Sequence, residues 1–285
     1  MSEQNWTVTG PQTIDVDGVR SLRLGIVKGR FDIVTHDGPG TRVEVSDVAG
    51  DPLSVAIVDG RLEVRHQLQG AQGWFRNLMD SVSNSSNNTA VISIAVPAGI
   101  IVEAGTVSGD GMVTGTSRIT RLNTVSGSVL SDGTSGELHV NTVSGEVIAR
   151  GHQGVLTAKS VSGEVTASGD FSNVRATTVS GDLSFDLLGH AKDIAAHSVS
   201  GDVTIRLPQD IGADVAAKSA SGAVVLDGQF HNHPGNKVQA TLGPTERVTV
   251  IRTNSVSGKT YVIHGNATAN AAGTASGQAP GEGGN

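Results

Sequence analysis

Residues 122–148 read LNTVSGSVLSDGTSGELHVNTVSGEVI, and the box Thr124-Val125-Ser126-Gly127 returns 18 residues later as Thr142-Val143-Ser144-Gly145. Working outward, the same corner pair stands at Ser108-Gly109, Ser126-Gly127, Ser144-Gly145, Ser162-Gly163, Ser180-Gly181, Ser200-Gly201, Ser221-Gly222 and Ser257-Gly258. Successive serines are 18, 18, 18, 18, 20, 21 and 36 residues apart. The last step is two periods of 18, so one coil is expected to have lost its box, with Val238 where the box valine would fall. A near-constant period of this length marks stacked units, each burying its apolar side against its neighbours.

The flanks keep register with the box. Six residues before the serine stand Val102, Leu138, Leu156, Val174, Ile194, Val215 and Ile251, and four before it Ala104, Leu122, Val140, Ala158, Ala176, Ala196 and Ala217. Thr or Ser always occupies the position two before it. Apolar residues resume at the third position after it (Val129, Val147, Val165, Leu183, Val203, Val224) and recur at the fifth. Alternation with period 2 means strand with one face buried. It breaks at Ser-Gly and restarts, as at a bend where glycine takes backbone angles closed to other residues. Each coil is therefore strand, corner, strand and turn, and stacking pairs parallel strands about 4.8 Å apart. The valine before the serine has the opposite parity to the threonine before it. It either turns inward at the bend or forms an exposed stripe.

The ends differ from the middle. Residues 1–11 read as an N-terminal tail, and residues 12–98 as alternating strands, antiparallel or irregular, that cap the stack. An insertion at 67–89 interrupts them, and the repeat proper runs over 99–265. The Gly- and Ala-rich tail 266–285 is expected to be disordered. Within the insertion, Trp74, Phe75, Leu78 and Met79 have helical spacing in a chain that is only 3% aromatic, and they are the expected interaction residues. They either cap the open end of the stack or dock a partner.

At this point the residues resemble a known group. TVSGEV, TVSGDL and SVSGDV, with the entry Val96-Pro97-Ala98-Gly99 and its echo around Leu207, Pro208, Gly212 and Ala213, are similar to the bacterial putative-adhesin family, domain of unknown function 4097, the β-strand-repeat proteins. The likeness spans roughly residues 14 to 264. It implies an all-β, right-handed parallel β-solenoid of about 18 residues per coil, here with an N-terminal β-strand cap, and brings no activity, cofactor or catalytic residue.

Composition narrows the function classes. With 285 residues, no Cys and a net charge of −7, the chain lacks thiolate metal sites, disulfides and the basic footprint of a nucleic-acid binder. No apolar run reaches the length of a membrane-spanning helix, and the opening MSEQNWTVTGPQ has no signal-like segment, so the expected location is cytoplasmic.

Candidate chemistry is thin. Ser255-Val256-Ser257-Gly258-Lys259-Thr260 ends like a phosphate-binding loop, but Thr253 stands where the loop needs glycine and YVIH follows where it needs a helix. His231 and His233 lack a third ligand, and His139, His152, His190 and His197 are expected at outward or turn positions. Asp110, Glu146, Glu164, Asp182 and Asp202 form an acidic column expected to be solvated. No catalytic, cofactor or metal residue is assigned. The expected function is a non-enzymatic structural or protein-interaction scaffold, with a protein partner or self-association. A polymer-forming or adhesin-like protein is the alternative. A carbohydrate-active β-helix enzyme is disfavoured because the chain has one Tyr and two Trp.

Overall fold

The computed structural model describes residues 4–66, 88–231 and 236–265, all β. The first eight strands are β1 (Gln4–Val8), β2 (Gln12–Val16), β3 (Ser21–Ile26), β4 (Lys28–His36), β5 (Thr41–Ala49), β6 (Leu53–Val58), β7 (Arg61–His66) and β8 (Thr89–Pro97). The middle holds β9 (Ile101–Thr106), β10 (Asp110–Thr114), β11 (Ile119–Thr124), β12 (Val129–Asp132), β13 (Ser135–Thr142), β14 (Val147–Ser160), β15 (Val165–Thr178), β16 (Leu183–Leu187), β17 (Asp193–Ser198) and β18 (Val203–Leu207). Last come β19 (Gly212–Ser219), β20 (Val224–Leu226), β21 (Gln229–His231), β22 (Asn236–Leu242), β23 (Val248–Ser255) and β24 (Thr260–His264). Hydrogen bonds join them into one 24-stranded sheet.

Pairing sorts the strands into two rows that meet at the Ser-Gly corners. In the middle every pair is parallel and the period of the sequence is the register: Ile119 pairs with Glu137, Ser135 with Gln153, Val129 with Val147 and Val147 with Val165. β14 and β15 are long enough to serve both rows, crossing from the second strand of one coil into the first of the next. Inward positions pair a large row with a small one. Leu138, Leu156, Val174 and Ile194 are fully buried beside Ala158, Ala176 and Ala196, and Val147, Val165, Leu183 and Val203 face them from the other row. Each such aliphatic contributes roughly 1.5–3 kcal/mol by burial, against the chain entropy that ordering costs. Phe31, Phe171 and Phe185 also lie inside. The ring of Phe31 occupies the space a Cβ at Gly111 would need, which accounts for the small residue in the coil above.

At both ends the stacking order departs from chain order. β3 and β4 pair in parallel with β7 and β8 on one side and with β9 and β10 on the other. Residues 21–36 are thus a coil of the stack, whereas the sequence suggested an antiparallel or irregular cap. Ile26-Val27-Lys28-Gly29 takes the box position, Ile26 pairing with Thr106. Antiparallel strands lie outside this coil and its neighbour: β6 and β1 close the first row, β5 and β2 the second. Residues 4–8, expected as tail, form β1.

The C-terminal end mirrors this arrangement. β23 and β24 slot between β17/β18 and β19/β20, parallel to both. The 36-residue gap before Ser257 is therefore not a coil that lost its box. Val238 lies on β22, which runs antiparallel along β19 and pairs it with Ala217, while β21 turns back on β20.

Candidate functional site

The corner is built from five consecutive residues, each with a fixed task. Two before the serine, a hydroxyl closes the bend locally at most corners, though not at Thr178: Thr124 Oγ1 donates to the Gly127 carbonyl (3.0 Å) and accepts the Gly127 N–H (3.1 Å). Thr142 and Ser255 donate to the carbonyls of Gly145 and Gly258, both at 2.7 Å. The box serine then ties its coil to the one below. Ser126 N–H donates to the Val107 carbonyl at 2.8 Å and its Oγ donates to the same oxygen at 3.1 Å; Ser144 repeats this on Val125 and Ser257 on Val199. These hydroxyls are committed to the stack, which explains serine without invoking a nucleophile.

The corner glycine is required by proximity, not by its backbone angles. None of the eight has a positive φ. A Cβ on Gly127, Gly145, Gly163, Gly181, Gly201 or Gly258 would overlap the carbonyl oxygen of the corner glycine one coil below. Sequence reasoning assigned this glycine to special dihedrals; the column of stacked carbonyls is the actual constraint.

The valine that precedes the serine forms a graded stripe. Val27 and Val107 are buried and Val125 packs against them. Further along, Val161, Val179, Val199 and Val256 are 46%, 45%, 46% and 53% exposed, in direct succession up the stack. An unbroken apolar ladder held open to water is a departure from ordinary surface chemistry. On one side runs the acidic column Glu146, Glu164, Asp182 and Asp202. Asp182 and Asp202 each spend one oxygen on a backbone N–H of the next coil, from Asp202 (2.8 Å) and Lys259 (2.7 Å). On the other side, the outward face of the first strand row carries exposed Lys159, Arg175, His197 and Lys218.

Other candidates fall as follows. Trp74, Phe75, Leu78, Met79 and His233 lie outside the described residues. The segment 255–260 has corner geometry and leads into β24. His139 stands 3.3 Å from Glu137, His190 Nε2 meets the Val248 carbonyl at 3.0 Å, and His197 is exposed. His152 departs from the expected outward or turn position: it lies within β14 and is 1% exposed. Its Nε2 donates to the Val155 carbonyl (3.2 Å), leaving Nδ1 to accept from Thr134 Oγ1 (3.0 Å), and burial pushes its pKa below the usual histidine range. Nothing in the repeat marks this residue as inward. Among the described residues, no group of three or more His, Asp or Glu side chains is placed to hold a metal, and no helix is long and apolar enough to cross a membrane.

Comparison with known proteins adds the following. The family model described as Toastrack DUF4097 matches residues 59–259. A solved structure from Parabacteroides distasonis, named as a putative lipid binding protein, is similar with a TM-score of 0.54 at 18% identity, over 88% of this chain and 96% of that one. A second from the same organism, named as a putative adhesin, has a TM-score of 0.48 at 14% identity, over 92% and 97%. One from Bacteroides fragilis, also named as a putative adhesin, has a TM-score of 0.39 at 15% identity, over 89% and 97%. None of the curated proteins matches.

Proposed function

The chain belongs to the Toastrack DUF4097 family, and on that premise we propose that it is a non-enzymatic scaffold whose working surface is the corner ladder. In this proposal the 18-residue repeats wind as a right-handed parallel β-solenoid, the N-terminal strands cap one end, and the stack holds identical side chains in register for a protein to bind. The observation that carries it is the run of Val161, Val179, Val199 and Val256, each about half exposed on a corner whose serine N–H groups and valine carbonyls bond coil to coil. Such a row of half-exposed valines costs solubility, which favours a binding role for it. End-to-end polymerisation through the coils is the weaker alternative, because antiparallel β22 and β21 close one end and β1 and β2 the other.

The test is a photo-crosslinking residue placed at position 179 or, on the outward face of the second row, at position 184, in cells that make the protein. Protein adducts at 179 and few at 184 are expected. Equal labelling at both, or none at 179, would remove the corner as the working surface, and turnover of any substrate by the purified chain would end the non-enzymatic reading.

A further inference from the structure

The geometry points to a second copy of this chain as the occupant of the valine ladder; we propose a two-fold dimer whose axis runs parallel to the stack. This rests on the corner being the working surface. The argument turns on the two flanks. Seen from outside, Val161, Val179 and Val199 have a carboxylate on one side, and Val161 and Val199 have Lys159 and His197 at the matching position on the other. Lys159 and Glu164 flank Val161, and His197 and Asp202 flank Val199, while at Val179 the position opposite Asp182 is Thr177, with Arg175 two residues further from the corner on the same outward face. A two-fold axis along the stack superposes equal heights and exchanges left for right. It lays valine on valine and sets the acidic flank of each copy against the basic flank of the other. A two-fold axis across the stack would instead face carboxylates with carboxylates. A purely basic partner would meet complementary charge on one flank only.

The remaining corners fit the same arrangement. At Ser257 the acidic position is taken by Lys259, and the opposite flank carries neutral Asn254, so no cation faces a cation there. Parallel copies share the coil spacing, so each valine of one copy meets its equivalent in the other over the full exposed run. That run covers three coil steps, about 14 Å. Its apolar strip alone is narrower than the roughly 800 Å² per partner of a standard stable interface, so the flanking charges are needed and a concentration-dependent monomer–dimer equilibrium is expected.

The experiment is sedimentation velocity on the full chain from about 5 to 500 μM, a range that brackets a micromolar constant. The native chain should shift from monomer to dimer across it. Val179→Asp with Val199→Asp should remain monomeric throughout with an unchanged melting temperature, since both side chains are exposed. Lys159→Glu and Glu164→Lys should each weaken association by about tenfold, and the two together in one chain should restore it to within about threefold, because the axis pairs these positions across copies. A native chain that stays monomeric at the highest concentration, or a dimer indifferent to the valine changes, overturns the proposal. Adducts at position 179 with other proteins only, alongside a monomeric purified chain, would sink the dimer while leaving the scaffold standing.

Discussion

The two ends of the stack reach the same arrangement with different residues. At the N-terminal end the inserted coil is β3/β4, covered by β7/β8; at the C-terminal end it is β23/β24, covered by β19/β20. In both, the outer coil is joined to an antiparallel strand by a two-residue Asp-Gly hairpin, with Asp59 and Gly60 at φ 50° and 77° and Asp227 and Gly228 at φ 45° and 80°. The ends differ in their corner residues. The C-terminal inserted coil keeps the full box Ser255-Val256-Ser257-Gly258, while the N-terminal one has Ile26-Val27-Lys28-Gly29 with Gly29 at φ 103°. A repeat protein must end somewhere without presenting an open ladder edge. Placing a terminal coil inside the stack and folding an antiparallel pair over it closes the edge, and the pairing tolerates very different boxes.

The largest expected effect comes from removing an inserted coil. A chain ending at residue 247 lacks β23 and β24, so β17/β18 and β19/β20 lose the neighbour that joins them. Hydrogen exchange should show protection lost throughout residues 212–242 while residues 21–66 keep theirs. Deleting residues 1–16 takes only the edge strands β1 and β2 and should leave the stack protected. Equal collapse in the two truncations would mean the ends are not equivalent closures.

Glycine substitutions sharpen the contrast at a smaller scale. A Cβ at Gly258 would overlap the Gly201 carbonyl oxygen, and one at Gly29 the Ala90 carbonyl oxygen, but only Gly29 adds a left-handed φ. Gly258→Ala is expected to cost about 2–3 kcal/mol from the clash, and Gly29→Ala about 1–2 kcal/mol more from backbone strain. Denaturant titration of the two variants measures the difference, and equal losses would show that φ contributes nothing at Gly29.

How far the sequence revealed this can be traced to particular residues. Ser126, Ser144 and Ser162 recur every 18 residues because each must reach the valine carbonyl one coil below, so period and pairing register are the same quantity. Stacking order left no such trace. Every coil offers its neighbour the same donors and acceptors, so the spacing from Ser221 to Ser257 cannot distinguish a degenerate coil from an excursion and return. The coil around Val27 carries no box in the sequence, because Lys28 stands where the serine would be. The exposure of the valines was undetermined for a related reason. Val107 and Val179 occupy the same repeat position, and only the surroundings make one buried and the other open.

Acid should discriminate between the ends. Gly25 pairs with Arg65, so the next residue, His66, continues the row of Ile26 and Thr106, where the C-terminal outer coil has Ser219. Burial pushes the His66 pKa below its ordinary value, only partly opposed by its contact with the Asp51 carbonyl at 3.0 Å. A histidine whose folded pKa is lowered binds its proton more readily when unfolded. Its neutral form therefore favours folding above the unfolded value of about 6.5, and that contribution is lost as pH falls below it. Protection of β1, β6 and β7 should drop between pH 7 and 5 after correction for intrinsic exchange, with β19 and β22 unaffected. His66→Ser should remove the drop at the N-terminal end, while that of buried His152 in the middle of the stack stays.

The smallest effect separates the two hairpins themselves, each pinned by a side chain from the inserted coil or its approach. Arg20 donates from Nη2 to the Asp59 carbonyl at 3.0 Å from an exposed position. His264 is more deeply seated: its side chain is 9% exposed, with Nδ1 2.9 Å from the Asp227 carboxylate and Nε2 2.9 Å from the Ile211 carbonyl. Asp227 also accepts the His264 backbone N–H at 2.9 Å, so one carboxylate fixes both the strand end and its ring. An exposed hydrogen bond exchanges readily with water and contributes little, whereas removing a buried one strands its partner. Arg20→Gln should therefore cost a few tenths of a kcal/mol and His264→Gln about 1–2 kcal/mol. Because the His264 pin holds the last strand inside the stack, its loss should also raise the exchange rates of β24 and β20 together. If His264→Gln destabilises no more than Arg20→Gln, the C-terminal coil is held by its two parallel ladders alone, and the hairpin pin is incidental to closing that end.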